Sequence, residues 1–248
     1  MKKIRFINSN ALKYIAALTM LIDHVGYILF PRILVLRIIG RISFPLFAFM
    51  IAEGCRHTRN RLKYLLSVAT LALVCQIGMF AALRSLEMGA PVTFTFSIIM
   101  IWAMQNVKAT VFTKCKIIKK LFSAAMFIGT VGITFIANYF LDIDYGFFGC
   151  LLPVFAALPH KPKSDGYPSG WDKVDTLPLC VFTFAVGLVM MCCFSNVLQW
   201  WCLLAIVPLL LYSGKKGKRN TKYFFYIFYP AHLTLLYVFL FILIKLNT

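Results

Sequence analysis

ALKYIAALTMLIDHVGYILF, residues 11–30, is a stretch of twenty residues in which only Lys13, Asp23 and His24 have side chains that are charged or titrate near neutral pH. An α-helix of about 20 residues rises about 30 Å, the thickness of the hydrocarbon core of a bilayer. The stretch therefore predicts a membrane-spanning helix. Its length, and the absence of a small-residue cleavage site after it, argue against a signal peptide.

The composition of the whole chain agrees with this prediction. Of its 248 residues 61% are apolar and 14% are charged, and the mean hydropathy is +0.82. An ordinary soluble domain has about 25% charged residues. This composition excludes a soluble globular enzyme, a disordered protein and a secreted disulfide scaffold. The fold class that we predict is all-α, a polytopic transmembrane helical bundle.

The apolar stretches number about nine, and most approach the ~20 residues that a spanning helix needs. They lie at residues 11–30, 38–54, 64–83, 92–107, 121–140, 146–159, 176–194, 197–213 and 223–244. They are apolar all round, as expected of helices in lipid. We therefore expect residues 1–248 to form a single integral membrane domain.

Along the chain, connecting segments that are rich in basic residues alternate with segments that contain few of them. Of the 26 Lys and Arg residues, 20 fall on one side of the predicted membrane. They are Lys2, Lys3, Arg5, Arg56, Arg59, Arg61, Lys63, Lys108, Lys114, Lys116, Lys119, Lys120, Lys161, Lys163, Lys173, Lys215, Lys216, Lys218, Arg219 and Lys222. The positive-inside rule puts this side, and the N-terminus, in the cytoplasm and the C-terminus outside. The net charge of +18 then reflects contact with anionic membrane lipids, and no nucleic acid is expected.

The eight cysteines show no metal-ligand spacing. The chain has no CxxC pair and no Cys/His pattern of the zinc-binding type. We read the cysteines as small buried apolar residues and predict no metal site.

Two histidines are predicted at similar membrane depth. Lys13 and His24 lie within about 20° of each other around a helix and about 16 Å apart along it. Lys13 is then near the cytoplasmic surface, and His24 is in the middle or outer half. His232, in the ninth span, is also near the middle. Ionisable residues at this depth are functional candidates, and the alternative is a packed, hydrogen-bonded histidine.

Asp23 needs a cationic partner on another helix, because adjacent residues such as His24 do not share a helix face. Arg37 and Arg41, in RIIGR (37–41), are the candidates. This grouping is read either as part of a site or as a satisfied interhelical ion pair.

The cytoplasmic segment EGCRHTRNRLK (53–63) is strongly basic. Its arginines offer forked donors that suit phosphates. The alternative is an anchor for lipid headgroups. Glu53 is expected to neutralise a neighbouring arginine rather than take part in chemistry.

Several segments together resemble the TraX family of integral membrane proteins, typified by the F-pilin N-acetylase. They are LKYIAALTMLIDHVGYILFP (12–31), LRIIGRISFPLFAFMIAEGCRHTRNRLKYL (36–65), DYGFFG (144–149), LLLYSGKKGK (209–218) and KYFFYIFYPAHLTLLY (222–237). One element departs from the family pattern. Where the family tends to show an Asn-containing motif, the chain reads PVTFTF (91–96), with Thr93 and Thr95 as candidate substitutes.

The TraX family is in turn similar to the membrane acyltransferase-3 type enzymes. Those enzymes carry a basic residue ahead of a first-helix histidine and a cytoplasmic R-x-x-R, which Lys13 with His24 and Arg56 with Arg59 match. The resemblance implies an enzyme of the bacterial inner membrane. It would transfer acetyl from cytoplasmic acetyl-CoA to an amine or hydroxyl of a protein, peptide or glycan acceptor.

The roles expected from this resemblance follow the chemistry of acyl transfer. His24 would be the general base, Asp23 with Arg37 or Arg41 would hold the site, and His232 would complete the pocket. The candidate oxyanion donors are Arg41, Tyr27 and Tyr229. The candidate ligands of the acetyl-CoA phosphates are Lys13, Arg56, Arg59, Arg61 and Lys63.

Two other classes of function stay open at this point. A proton-coupled transporter would use Asp23, His24 and His232 as a relay, although the sequence shows no repeat of the kind common in transporters. A non-catalytic pilus or export assembly protein would tolerate loss of His24. Acetyl-CoA binding discriminates the enzyme from both.

Overall fold

The structure is a computed structural model that describes residues 5–84, 86–111, 113, 115–162, 170–217 and 222–246. Six of the residues that the sequence assigns to the cytoplasmic side, Lys2, Lys3, Lys114, Lys163, Lys218 and Arg219, therefore lie outside the described residues. The helices are α1 (Ser9–Ile28), α2 (Leu34–Gly40), α3 (Ser43–His57), α4 (Arg61–Leu83), α5 (Ala90–Val111), α6 (Ile117–Phe140), α7 (Gly146–Ala157), α8 (Trp171–Val174), α9 (Leu177–Cys193), the 3-10 helix Val197–Ala205, α10 (Ile206–Leu210) and α11 (Lys222–Leu246).

The helical fold and its membrane character agree with the prediction. Six helical segments are long and apolar enough to cross a bilayer, among them Leu34–His57, which joins α2 and α3. Three shorter apolar segments, Gly146–Ala157, Leu177–Cys193 and Val197–Leu210, fall at the remaining predicted spans. Many large apolar side chains are exposed on these helices, such as Ile128 (70%) and Phe135 (60%) on α6. A surface of this kind is stable in lipid, so the chain is a multi-pass membrane protein.

The chain divides into two compact units. The first unit combines Met1–Phe47 with Ser195–Thr248, and the second is Ala48–Phe194. In the first unit, α1 packs against α2 and α11. In the second, α5 packs against α4, α6 and α7, and α7 packs against α9.

Two glycines bring α1 and α2 of the first unit close together. A Cβ on Gly40 would lie 2.2 Å from the Asp23 side chain, and one on Gly26 would lie 2.6 Å from Leu36 Cβ. Only glycine permits this approach. As a result, the Asp23 carboxylate rests on the end of α2, where Arg37 and Arg41 are found.

The eighth predicted span is not a continuous α-helix. Residues 197–205 form a 3-10 helix, capped by the side chain of Asn196, and α10 follows. A 3-10 helix has three residues per turn, and Gln199, Cys202 and Ala205 are all at most 3% exposed. This period-three burial is the physical reason for the departure, and it turns Gln199 inward.

In the first unit, backbone hydrogen bonds join the segment before α1 to the segment after α10. Ile7 N–H donates to Leu211 O (3.1 Å), and Ser213 N–H donates to Ile7 O (2.8 Å). The side chain of Asn8 then caps α1 by accepting from Asn10 and Ala11 N–H, each at 3.0 Å. The start of α1 is thus fixed against the segment after α10.

Candidate active site

His24 and His232 are in direct contact in the first unit. His232 Nε2 lies 2.9 Å from His24 Nδ1, and the ring centroids are 4.9 Å apart. His232 is 5% exposed, and its Nδ1 lies 2.7 Å from the carbonyl oxygen of Phe228. Two residues 208 positions apart thus form one hydrogen-bonded unit, which we call the histidine pair.

The helices that carry the histidine pair run in the same direction. Near their first turns, Tyr14 on α1 packs against Phe224 on α11 at 5.6 Å, and Lys13 Nζ lies 6.0 Å from the Phe225 ring. The histidine pair is further along both helices. Lys13 is therefore at one end of this helix pair and His24 lies deeper, as their separation in sequence predicts.

Asp23 lies between two arginines, and we call Asp23, Arg37 and Arg41 the Asp23 cluster. Arg37 Nη1 is 2.9 Å from Asp23 Oδ2, and Arg41 Nη2 is 3.3 Å from Oδ1. Arg41 also donates to Gln199 Oε1 at 3.1 Å, and the Arg37 guanidinium lies 4.9 Å from the Tyr27 ring centroid. Two guanidinium groups facing one carboxylate leave an excess of one positive charge beside the histidine pair.

The second unit contains a different cluster, in which acids and a single guanidinium meet. Arg56 contacts Asp175 (2.9 Å) and Glu53 (3.5 Å). Glu53 also lies 3.5 Å from His57 and 3.6 Å from His160. We call these five residues the Glu53 cluster. The carboxylates are the buried partners, because the side chains of Glu53 and Asp175 are 7% and 3% exposed.

A cavity of about 350 Å³ opens beside the Glu53 cluster, lined in part by Arg56, Arg61 and His160. Its wall includes Trp102 and Gln105. Within the part of the chain that the structure describes, Trp102 Nε1 and Gln105 Oε1 are buried without a hydrogen-bond partner. Both atoms belong to residues of the cavity wall.

The four cytoplasmic cations of the sequence prediction are not equivalent. Arg56 is engaged by two carboxylates. Arg61 donates to Asn106 Oδ1 at 3.3 Å and lines the cavity with Arg56. Arg59 and Lys63 are exposed.

His160 is uncharged in this cluster at neutral pH. Burial lowers the pKa of His160 to about 4, although the Glu53 carboxylate acts to raise it. The ring is only 2% exposed. A neutral imidazole takes part in the cluster through hydrogen bonds, and Arg56 is the guanidinium that contacts Glu53.

Lys108 closes the end of α7 in the second unit. Its Nζ donates to the carbonyl oxygens of Ala157, Leu158 and His160 at 3.1, 2.7 and 3.1 Å. It also lies 5.3 Å from the Trp171 ring centroid. Carbonyls at a helix C-terminus lack intrahelical partners, so Lys108 supplies a donor to those of Ala157 and Leu158 and also holds the backbone of His160.

Thr93, in the segment that departs from the family pattern, is completely buried and donates to Asp144 O at 2.7 Å. Thr95 instead donates to Pro91 O within its own helix, at 2.9 Å. Thr93 thus holds the start of DYGFFG (144–149), whereas the hydrogen bond of Thr95 to a described residue stays within its own helix.

Several residues at these sites were not predicted from the sequence. They are Gln199 in the first unit and His160, Asp175, Lys108, Trp102 and Gln105 in the second. Two signals were present: Gln199 is a polar residue inside an apolar span, and Asp175 is an acid next to a predicted cytoplasmic helix end. Tyr229, which was predicted, packs edge-on against His232 at 5.8 Å.

Comparisons with known proteins cover both units. The family model described as TraX protein matches residues 8–240. The probable fimbrial assembly protein FimC, serogroup H1, of Dichelobacter nodosus is 27% identical over 241 residues, which are 91% of this chain and 92% of that protein. The uncharacterized protein RP591 of Rickettsia prowazekii (strain Madrid E) is 50% identical over 38 residues, 15% of either chain. No solved structure matches the chain.

Proposed function

We propose, from the premise that this chain belongs to the TraX family, that it is a membrane-embedded acetyltransferase using acetyl-CoA as donor. The TraX resemblance carried by the signature blocks is confirmed by the family match over residues 8–240. The observation that carries the proposal is the histidine pair: a base needs an accessible lone pair in a fixed orientation, and the contact between His24 and His232 supplies the orientation.

In the proposed reaction His24 is the general base. It removes a proton from the acceptor amine or hydroxyl while the acceptor nitrogen or oxygen bonds to the acetyl carbonyl carbon. The carbon–sulfur bond of the thioester then breaks, and the proton passes to the departing CoA sulfur. Arg41 is the favoured oxyanion donor, because its Nε has no hydrogen-bond partner among the described residues. Tyr27 and Tyr229 remain candidates for the same task.

The donor's phosphates are proposed to bind cations of the second unit. Arg59, Arg61 and Lys63 are the favoured ligands, since the Arg56 guanidinium is divided between Glu53 and Asp175. Arg56 is then the residue that holds the Glu53 cluster together. Lys13 is a further phosphate candidate, from the first unit.

The proposed topology has nine spans, with the N-terminus in the cytoplasm and a bacterial inner membrane as the location. Within each unit, segments assigned to one side of the membrane meet each other. Ile7 pairs with Tyr212 in the first unit, and both are assigned by the sequence to the cytoplasmic side; Met88 pairs with Ile143 in the second unit, and both are assigned to the outer side. The 14 residues of Val197–Leu210 rise about 25 Å because the 3-10 portion is stretched, which supports a span.

A second candidate is a non-catalytic part of a pilus assembly system. It is favoured by the name of the Dichelobacter relative, a probable fimbrial assembly protein. Acetylation of pilin by an enzyme, and assembly without catalysis, are both compatible with that name. A proton-coupled transporter is the third class, and the same experiments separate it from the enzyme.

The first test measures CoA release by purified protein supplied with acetyl-CoA and a pilin N-terminal peptide. We expect turnover in the wild type and its loss in His24→Ala. The matched control is Leu18→Ala on the same helix, whose side chain is 59% exposed and which should keep wild-type turnover. Equal turnover in His24→Ala and the wild type would exclude His24 as the base.

The second test measures acetyl-CoA binding in detergent. Arg61→Ala should weaken binding about tenfold, the loss expected when one charge-assisted contact worth about 1.4 kcal/mol is removed. Arg56→Ala should instead lower the melting temperature by releasing two buried carboxylates. Well-folded protein that neither binds acetyl-CoA nor releases CoA would contradict the enzyme and favour the assembly role or the transporter.

A further inference from the structure

We infer that His232 fixes the tautomer of His24, so that the proton of the neutral His24 ring is on Nδ1 and its Nε2 is the atom that accepts a proton. The catalytic meaning of this inference rests on the proposed function. The protonation pattern itself follows from two contacts in the first unit and does not depend on any activity.

The first contact is between His232 and the backbone of its own helix. His232 Nδ1 lies 2.7 Å from Phe228 O. A carbonyl oxygen only accepts, so Nδ1 of His232 carries a hydrogen and donates. In a neutral imidazole the other nitrogen is then an acceptor. His232 Nε2 therefore presents a lone pair.

The second contact passes this constraint to His24. His24 Nδ1 lies 2.9 Å from His232 Nε2, and two lone pairs at that distance would repel. His24 Nδ1 must therefore carry the hydrogen. The Nε2 lone pair of neutral His24 is left to take a proton.

His232 is thus a positioning residue that acts through His24. The hydrogen bond that one ring nitrogen of a histidine makes determines whether the other ring nitrogen carries a hydrogen. The Phe228 ring stacks on His232 at 4.8 Å with an angle of 12° between the planes, so the His232 ring is held in orientation as well as in tautomer. When His24 Nε2 takes the acceptor's proton, its Nδ1–H becomes a charge-assisted donor to His232 Nε2.

The direct test is the ¹⁵N spectrum of histidine-labelled protein in detergent, assigned with His24→Ala and His232→Ala. We expect both rings to carry hydrogen on Nδ1 at neutral pH, although an isolated imidazole side chain favours hydrogen on Nε2. A His24 ring with hydrogen on Nε2, or with hydrogen on both nitrogens at neutral pH, overturns the inference.

A variant pair tests what His232 contributes. His232→Gln places an amide oxygen where Nε2 lies and should keep the hydrogen of His24 on Nδ1, whereas His232→Leu should shift it to Nε2. In turnover, His232→Leu should lower kcat about 10- to 100-fold with little change in KM, the loss typical when a residue orienting a histidine is removed. His232→Gln should recover most of that activity. Thr234→Ala, an exposed position of the same helix, is the control.

The outcomes separate this inference from the proposed function. A wild-type protein without turnover, but with Nδ1–H on His24 that His232→Leu abolishes, contradicts the enzyme and supports the tautomer. Turnover and tautomer that are both unchanged in His232→Leu overturn the role of His232 and leave the enzyme standing.

Discussion

The two units of this protein balance their charges in opposite ways. In the Asp23 cluster of the first unit, two guanidinium groups share one carboxylate. In the Glu53 cluster of the second unit, two carboxylates share one guanidinium, that of Arg56. The first arrangement leaves a surplus of donors, and the second leaves a surplus of acceptors.

This difference teaches which arginines are available to a ligand. Where arginines outnumber carboxylates, an arginine keeps unused N–H groups, as Arg41 does at Nε among the described residues. Where carboxylates outnumber arginines, the N–H groups of the arginine are directed at those carboxylates, as those of Arg56 are. A basic motif read from sequence therefore overstates its anion-binding capacity wherever buried acids converge on it.

The largest effect that would sharpen this comparison is expected from Asp23→Asn. The substitution removes the single carboxylate and leaves two guanidinium groups at close range with only a neutral amide between them. Breaking a buried ion pair in this way lowers the free energy of unfolding by about 3–5 kcal/mol. We expect a large drop in melting temperature in detergent. Asp142→Asn, at an exposed carboxylate, should have no effect, and an equal drop in both variants would contradict the assignment.

The next largest effect is a dependence of folding stability on pH, which arises from His160 in the Glu53 cluster. The pKa of His160 is about 4 in the folded protein and about 6.5 when unfolded, so between these values the unfolded chain holds a proton that the folded chain lacks. Stability should therefore fall as the pH drops from about 6.5 to 4, by at most about 3 kcal/mol from this residue.

The measurement for His160 is the melting temperature as a function of pH for the wild type and for His160→Gln. The variant has no titrating group at this position, so its stability should decline less over the same window. Parallel curves for the two proteins would show that His160 is not held neutral by its surroundings.

The smallest expected effect on stability comes from Gly40, which allows α2 to approach Asp23 on α1 closely. Gly40→Ala places a Cβ 2.2 Å from the Asp23 side chain, and overpacking of this kind costs about 1–3 kcal/mol. Gly129→Ala is the matched control, because nothing lies within 4 Å of its added Cβ and alanine favours a helix. The prediction fails if Gly40→Ala is as stable as Gly129→Ala.

Depth along a helix could be predicted from sequence, and this is why the main residues of the first unit were grouped correctly in space. Counting residues put His24 and His232 at a similar level, and the need of Asp23 for a cationic partner on another helix pointed to Arg37 and Arg41. The structure has all of these contacts. Their chemical roles stay predictions.

Lateral packing could not be predicted, because hydropathy records depth and not which helices are neighbours. His160 and Asp175 were assigned to a connecting segment, and their convergence on Glu53 depends on how α7 and α9 stand beside α3 in the second unit. The 3-10 helix was also missed, since an apolar stretch gives the same signal in either helix type. Only the spacing of Gln199, Cys202 and Ala205 distinguishes them.

The pairing of Ile7 with Tyr212 has a consequence for the order of assembly. The second unit, Ala48–Phe194, is one continuous segment and can form as it leaves the ribosome. The first unit cannot, because α1 waits for partners encoded at the other end of the chain. At about 5–20 residues per second, Asp23 and His24 spend roughly 10 s or more in the membrane before His232 is made. A nascent chain interrupted after Phe194 but before α11 is made carries a complete second unit and an α1 without its final partner.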